Sequence, residues 1–190
     1  IYSHDTGRQI QTHHYVARLT QEFLQCAVYD SDENDARLIG VEYIISSKLF
    51  DSLPPEEQKL WHSHGYEVTE GLWLNPGVPE MIQKPELKDI AQTYGKFWCT
   101  WQVDRGDKVP LGAPALMMSA QGVNTGAVRE EMIRRRDEKY GVSSEERKKS
   151  REDIAVPVTT NPYSDYWMTT GKGFAVDVQL TDMKRRTAFP

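Results

Sequence analysis

What the chain has little of narrows its reading first. Two cysteines in 190 residues are too few for a disulfide framework. Each lies in an apolar, strand-like run, FLQCAVY around Cys26 and FWCTW around Cys99, where a reduced, buried thiol is the ordinary state. Two free thiols and a reducing, cytoplasmic compartment are therefore expected, rather than a single disulfide. No window approaches the ~20 apolar residues of a spanning helix, so no transmembrane segment is expected. Positive charge is not in excess: 23 Lys and Arg against 28 Asp and Glu leave a net charge of −5. That balance argues against nucleic acid or an anionic membrane as a non-specific partner. The chain also lacks a Gly-rich phosphate loop, a serine nucleophile elbow and a CxxC pair. Asp30-x-Asp32-x-Asn34 opens like a calcium loop but has Asp35 where glycine is needed and Val41 where a bidentate glutamate is needed, so it reads as a turn. The first residue is Ile1 rather than Met, which leaves room for a preceding segment.

What is present suffices for a folded domain. The hydrophobic fraction is only 38%, yet five Trp, nine Tyr and five Phe supply large apolar surfaces for a core. Residues 8–20 read as a strand or an irregular lead-in. Phe23–Tyr29 and Leu38–Ile45 read as a hairpin bracketing the polar stretch Asp30–Asp35. Short helices are predicted on either side of Pro54-Pro55, the second starting at the prolines. Tyr66–Leu74 reads as a strand, Pro85–Tyr94 as an amphipathic helix, and Phe97–Val103 and Leu111–Ser119 as apolar strands. Ala127–Tyr140 reads as a charged helix closed by Gly141, and Ser143-x-x-Glu146 has capping-box spacing ahead of a polar helix over Glu145–Asp153. Pro157–Asp165 is linker-like, GFAVDVQL (173–180) predicts a final strand, and Lys184-Arg-Arg186 is a basic end. The sum is an α+β fold: a mostly antiparallel sheet flanked by helices, with residues 1–141 as the core domain and 142–190 as a polar helical C-terminal extension packed on it.

Histidine is scarce and clustered. Of five, four fall in two pairs, His13-His14 in QTHHYVARL and His62-Ser63-His64 in LWHSHGYEV, with Glu67 just beyond. Two or three imidazoles and a carboxylate suffice for an open iron, zinc, manganese or copper site. In an extended chain His62 and His64 share a face and Glu67 takes the other, unless the chain turns at Gly65. HxHxxE resembles the cupin ligand pattern, but cupins need a later histidine and none follows His64. Three imidazoles are reached only by recruiting His13 or His14, which as strand neighbours project oppositely, so one serves as ligand and the other as a supporting contact. The alternative is surface histidines or hydrogen-bonded core groups.

Glu42 interrupts the apolar strand LIGVEYII. Simple alternation sends Ile39, Val41, Tyr43 and Ile45 inward and Glu42 to solvent. If Glu42 instead faces inward, a buried carboxylate must pair with a cation or a metal, and Glu42 with Glu67 becomes a pair of candidate ligands or general bases beside the histidines. Trp101 and Gln102 in FWCTWQVDR, with Tyr66 beside the histidines, are candidate substrate-binding side chains, although core packing is the plainer role for an indole. REEMIRRRDEKYG is a solvated helix with i,i+4 ion pairs.

The segments QTHHYVARLTQEFLQCAVYDSDENDARLIGVEYIIS, LWHSHGYEVTEGLWLNPGVPE and YGKFWCTWQVDRGDKVPLGAPALMMS resemble the oil-body-associated protein family of plants, fungi and bacteria. The likeness extends through RRDEKYGVSSEERKKSREDI and GKGFAVDV and includes His13, His14, Glu42, His62, His64 and Glu67; it departs at Gly65, where plant members tend to carry Glu. The resemblance implies a soluble α+β protein linked to lipid droplets and names no reaction. Two functions follow as expectations. One is a metal-dependent enzyme, oxygenase or hydrolase in type, acting on a small-molecule or lipid-derived substrate through a divalent metal ion. The other is a non-catalytic lipid-droplet or lipid-binding protein with a structural metal or hydrogen-bonded histidines. Lipid-droplet association would be peripheral, and a homodimer is compatible with either.

Overall fold

The computed structural model describes residues 1–122, 127–156 and 161–183. Its frame is an antiparallel sheet of six strands: β1 (His13–Thr20), β2 (Phe23–Tyr29), β3 (Leu38–Ser46), β4 (His62–Ser63), β5 (Thr93–Cys99) and β6 (Ala115–Met117). They run in the order β1-β2-β3-β5-β4, with β6 also on β5. The two short strands share one edge of β5: His62 and Ser63 face Gly95 and Tyr94, while Ala115 to Met117 face Cys99 to Phe97. The hairpin expected from the polar stretch is present. Asp30 accepts from the Arg37 backbone N–H at 2.8 Å and so closes the turn between β2 and β3.

Strand β2 alternates as its sequence suggests, burying Leu24, Cys26 and Val28 and turning Gln25 out. Strand β3 does not. Val28 pairs with Gly40 but Tyr29 pairs with Leu38, so Ile39 is an extra residue, a β-bulge. Before the bulge Ile39 points inward; after it the phase shifts by one, and Gly40, Glu42 and Ile44 point inward instead. Glu42 is 2% exposed, whereas Val41 is 39% exposed. Simple alternation from Ile39, which put Glu42 in solvent, is corrected by that one inserted residue.

The inner face packs Tyr2, Leu24, Cys26, Val28, Ile39, Ile44, Phe97, Cys99, Ala115 and Met117 into the main core. Both cysteines lie in it as free thiols. On the other face, α1 (Ser47–Asp51) and α2 (Pro55–Gln58), the latter starting at a proline as predicted, build a second cluster of Ile45, Phe50, Trp61 and Tyr94.

Four expected elements differ. Residues 66–74 are not a strand: the chain forms a short helix α3 (Gly65–Thr69), and the Glu67 carbonyl then accepts from both Leu72 and Trp73 N–H at 2.9 Å. That turn satisfies the backbone without a strand partner. Helix α4 (Glu80–Ile90) begins before Pro85 and runs through it; the carbonyl that loses its partner belongs to exposed Met81, where water can serve. Strand β5 then starts at Thr93, inside the span expected to be helical, and ends before a 3₁₀ turn over Val103–Arg105. Residues 171–183 carry no regular secondary structure, so the final strand is absent. Lys184 to Arg186 and the first half of the linker-like stretch (157–160) lie outside the described residues.

Helices α5 (Glu130–Tyr140) and α6 (Ser144–Ser150) form as expected: Gly141 closes the first in the left-handed conformation, and the Ser143 hydroxyl accepts from Glu146 N–H to open the second. A last helix, α7 (Tyr166–Thr170), adds Trp167 to a cluster with Leu116 and Met118. The chain beyond 141 is tied down by Arg151, which has no exposed surface. Its guanidinium donates to the Val68 and Trp73 carbonyls at 2.9 Å and pairs with Glu80 at the start of α4. Truncating it leaves the Trp73 carbonyl without its donor and strips Glu80 of one of its two guanidinium partners, Arg147 remaining. Arg151→Ala is expected to destabilise the protein by about 3 kcal/mol in urea unfolding, with Arg151→Lys recovering only part of that loss.

Candidate metal centre

The bulge turns Glu42 into the core between Cys26 on β2 and Phe97 on β5, the residues directly opposite it. A bare carboxylate there would be prohibitively expensive, and three imidazoles answer it. His14 on β1 reaches across β2 so that Nδ1 lies 2.8 Å from Glu42 Oε2. His62 Nε2 lies 3.0 Å and His64 Nε2 3.5 Å from Oε1. Burial pushes the Glu42 carboxyl up, but charge on His14 and hydrogen bonds from His14, His62 and His64 outweigh it and hold it well below the usual carboxylate range.

Two of the three histidines are aimed by a threonine. The Thr93 hydroxyl donates its single proton to the Ile90 carbonyl at 2.7 Å, so at 2.8 Å from His64 Nδ1 it accepts. His64 therefore carries a proton on Nδ1, and in its neutral form a bare lone pair on Nε2 faces the Glu42 oxygen. Two electron-rich atoms hold that arrangement only with a proton or a cation between them. Burial pushes the His64 imidazole down, and the Glu42 hydrogen bond and charge reverse that, leaving it above its ordinary value. Thr12 Oγ1 sits 2.8 Å from His14 Nε2. His62 Nδ1 is buried with no partner among the described residues, a cost of about 1–3 kcal/mol that its Nε2 contact must offset. Ser63, between the two histidines, points away, and its N–H and hydroxyl donate to Asp165 at 3.2 and 2.6 Å. Asp165 itself sits in the left-handed region at φ 48°, and the short strand β4 is pinned from behind.

Gly95 completes the site. A Cβ built there would fall 2.4 Å from Glu42 Oε1, 2.6 Å from His62 Nε2 and 2.7 Å from His64 Nε2. Three donor atoms thus ring a space that only glycine leaves open. Ligands of a tetrahedral ion at ~2.0–2.1 Å stand about 3.3 Å apart, close to the 3.0 and 3.5 Å found between Glu42 and the two histidines.

Glu42, His62 and His64 line a cavity of about 500 Å³, walled by Ile10, Trp73, Phe97, Met117 and the Met132–Ile133 face of α5. Trp73 stands edge-on to His64, ring centroids 5.4 Å apart. It is brought there by the turn after α3, which Arg151 and Arg136 clamp; Arg136 Nη1 donates to the Leu72 carbonyl at 2.6 Å.

The expected site residues separate accordingly. His14, Glu42, His62 and His64 come together. His13 also lines the cavity but is in neither group of donors close enough to share an ion, and its Nε2 faces Gln11 at 3.4 Å. Glu67 lines the cavity but belongs to neither group. Trp101, Gln102 and Tyr66 do not line it: the Trp101 indole donates to the Asp107 carbonyl at 2.8 Å, Gln102 lines a separate cavity with Arg8 and Arg105, and Tyr66 packs on Gly122. A Cβ at Gly65 would strike Val156 at 2.5 Å, so this chain has no room there for a larger residue without repacking. Thr12, Thr93 and Gly95 carry no spacing signal and emerge only from strand pairing, and Trp73 only from the turn after α3.

These features define an α+β protein whose antiparallel sheet carries a buried histidine–glutamate cluster beneath an apolar cavity. A family model described as a protein of unknown function (DUF1264) matches residues 1–155. Oil body-associated protein 2A of Zea mays and 2B of Arabidopsis thaliana are each 59% identical over all of this chain and 76% of their own length. Oil body-associated protein 1B of Arabidopsis thaliana is 41% identical over 96% of the chain and 74% of its own length. The chain belongs to the oil-body-associated protein family. No solved structure matches it. Among the described residues, no helix is long and apolar enough to cross a membrane.

The cluster sets a pH window for the metal-free protein. Glu42, held below its ordinary 4.5, adds stability that is complete above that pH and lost as pH falls through its folded value. His64, held above its ordinary 6.5, adds stability that is complete below that pH and lost as pH rises through its folded value. Calorimetry in chelator is expected to show the melting-temperature gap between the native chain and Glu42→Gln widest between pH 4.5 and 6.5; a gap still widening at about pH 8 would contradict the assignment.

Proposed function

We propose that this protein associates with oil bodies, as the names of its relatives describe, and holds a lipid-derived or small organic molecule over a divalent cation bound by Glu42, His62 and His64. The observation that carries the site is the ring of donor atoms around the vacant Gly95 Cβ position. The walls support the ligand class: methionine, isoleucine, tryptophan and phenylalanine suit an acyl or other apolar body, and the polar floor suits a carbonyl, carboxylate or hydroxyl end. Two imidazoles and a carboxylate suit iron, zinc, manganese or copper rather than calcium. In this reading the cation fixes the floor of the cavity and no turnover is required.

A second reading is a metal-dependent enzyme of oxygenase or hydrolase type. It is favoured by one feature: the three ligands face the cavity, so further coordination positions are available to water, oxygen or substrate. Glu67, on the cavity wall, is then the candidate general base.

Elemental analysis of protein purified without a histidine tag tests the metal centre. Near-stoichiometric metal is expected in the native chain. His62→Ala/His64→Ala should lose it with a much smaller effect on folding, seen in circular dichroism and melting. Gly95→Ala should also lose it, because the added methyl occupies the space between the donors. Iron or copper would favour the oxygenase form of the second reading, and zinc the hydrolase form. Absence of metal after reconstitution would remove the metal centre and leave a hydrogen-bonded cluster in an oil-body-associated protein.

A further inference from the structure

The Glu42 carboxylate has two oxygens and uses them on different partners. Oε1 faces His62 and His64, and Oε2 faces His14. Beside it, directly opposite in the β2–β3 register, lies Cys26. A ring nitrogen of His14, Sγ of Cys26 and a Glu42 oxygen lie within 4.8 Å of one another, as do the donors of Glu42, His62 and His64. Two groups of three ligands therefore meet at one shared carboxylate.

We infer that Glu42 bridges two cation positions, and that Cys26, His14 and Glu42 Oε2 form a second metal site of softer character than the first. The inference rests on the proposal that Glu42 is a metal ligand. Its chemistry follows from the donors. A carboxylate bridge is the ordinary way to hold two cations ~3.5–4 Å apart. Thiolate with imidazole selects zinc or copper over magnesium and calcium, whereas the first group contains no sulfur. Thr12 equips His14 for the role: its hydroxyl can accept Nε2–H, which leaves the Nδ1 lone pair free for a cation. Cys26 is buried and unpaired by any disulfide. Cation binding there replaces the thiol proton, which leaves to solvent. The way in is through the cavity, which His14 and Glu42 both line.

Titration of the metal-free full chain with cobalt(II), followed by absorption and elemental analysis, tests this. The expected result is two cobalt ions per chain with a near-ultraviolet sulfur-to-cobalt charge-transfer band. Cys26→Ser and Cys26→Ala should each abolish the band and lower the stoichiometry from two to one, leaving the visible absorption of a nitrogen- and oxygen-ligated ion. His62→Ala/His64→Ala should keep the band and lose the other ion. One cobalt without the band in the native chain would overturn the second site, leave the first intact, and make Cys26 a packing residue beneath His14. A single ion with the band, unaffected by His62→Ala/His64→Ala, would uphold the Cys26 site and sink the first. Absence of cobalt would overturn both. The native stoichiometry and band decide the matter even if a variant fails to fold.

Discussion

A single ionised carboxylate in the middle of the sheet organises this protein. Glu42 is almost wholly removed from water, and an unpaired charge there would outweigh the net stability of most domains of this size. Everything about the inner face follows from answering that charge. An edge-strand histidine is stretched across β2, a two-residue strand is laid along β5 to present two more, and glycine stands where any side chain would intrude. The three imidazoles are oriented from outside by threonines and by the Asp165 grip on Ser63. Such an arrangement gives specificity of position more than raw stability, since a well-packed apolar substitute for a buried ion group is often at least as stable.

The distribution of apolar surface has the same origin. Because the bulge at Ile39 turns the charge inward, it also turns Val41 and Tyr43 outward onto the open face of the sheet. The core is correspondingly divided: aliphatic and aromatic residues fill the inner face around the cluster, while the second helical layer is anchored elsewhere by Phe50, Trp61 and Tyr94. The C-terminal helices work through cations. Arg136 and Arg151 hold the backbone of the turn after α3, and that turn carries Trp73 to the rim of the cavity.

Much of this is written in the residues, and the rest in their pairing. The α+β class, the β2–β3 hairpin, the capping serine of α6 and the closing glycine of α5 follow from local chemistry, whereas the residues leave the gathering of histidines with Glu42 as one of two readings. The sequence misleads where one residue changes a phase or a turn replaces a partner. Ile39 reads as the first of an alternating series, yet it is the bulge that inverts that series. Tyr66–Leu74 has the composition of a strand, but among the described residues no strand pairs with it, and it folds back as a helical turn. Trp101, Gln102 and Tyr66 looked like pocket walls because they are aromatic or amide groups near apolar runs, whereas only register says which face of β5 and α3 meets the cavity. Gly95 and Thr93 had no signal at all: their roles exist only because β4 docks opposite them.

The place of β1 in the sheet divides the cluster into two halves of unequal mechanical security. Among the described residues β1 is bonded to β2 alone, and the His14 side chain it carries is 22% exposed, so local opening of this edge reaches the Oε2 side of the cluster. When its first residues fray, Glu42 loses the partner on Oε2 and keeps those on Oε1, whose imidazoles are 4% and 1% exposed. Amide exchange along β1 and around His14 would then run ahead of exchange around His62 and His64. The carboxylate thus has one partly exposed partner that breathes with β1 and two buried ones whose short strand is held against β5 and by Asp165.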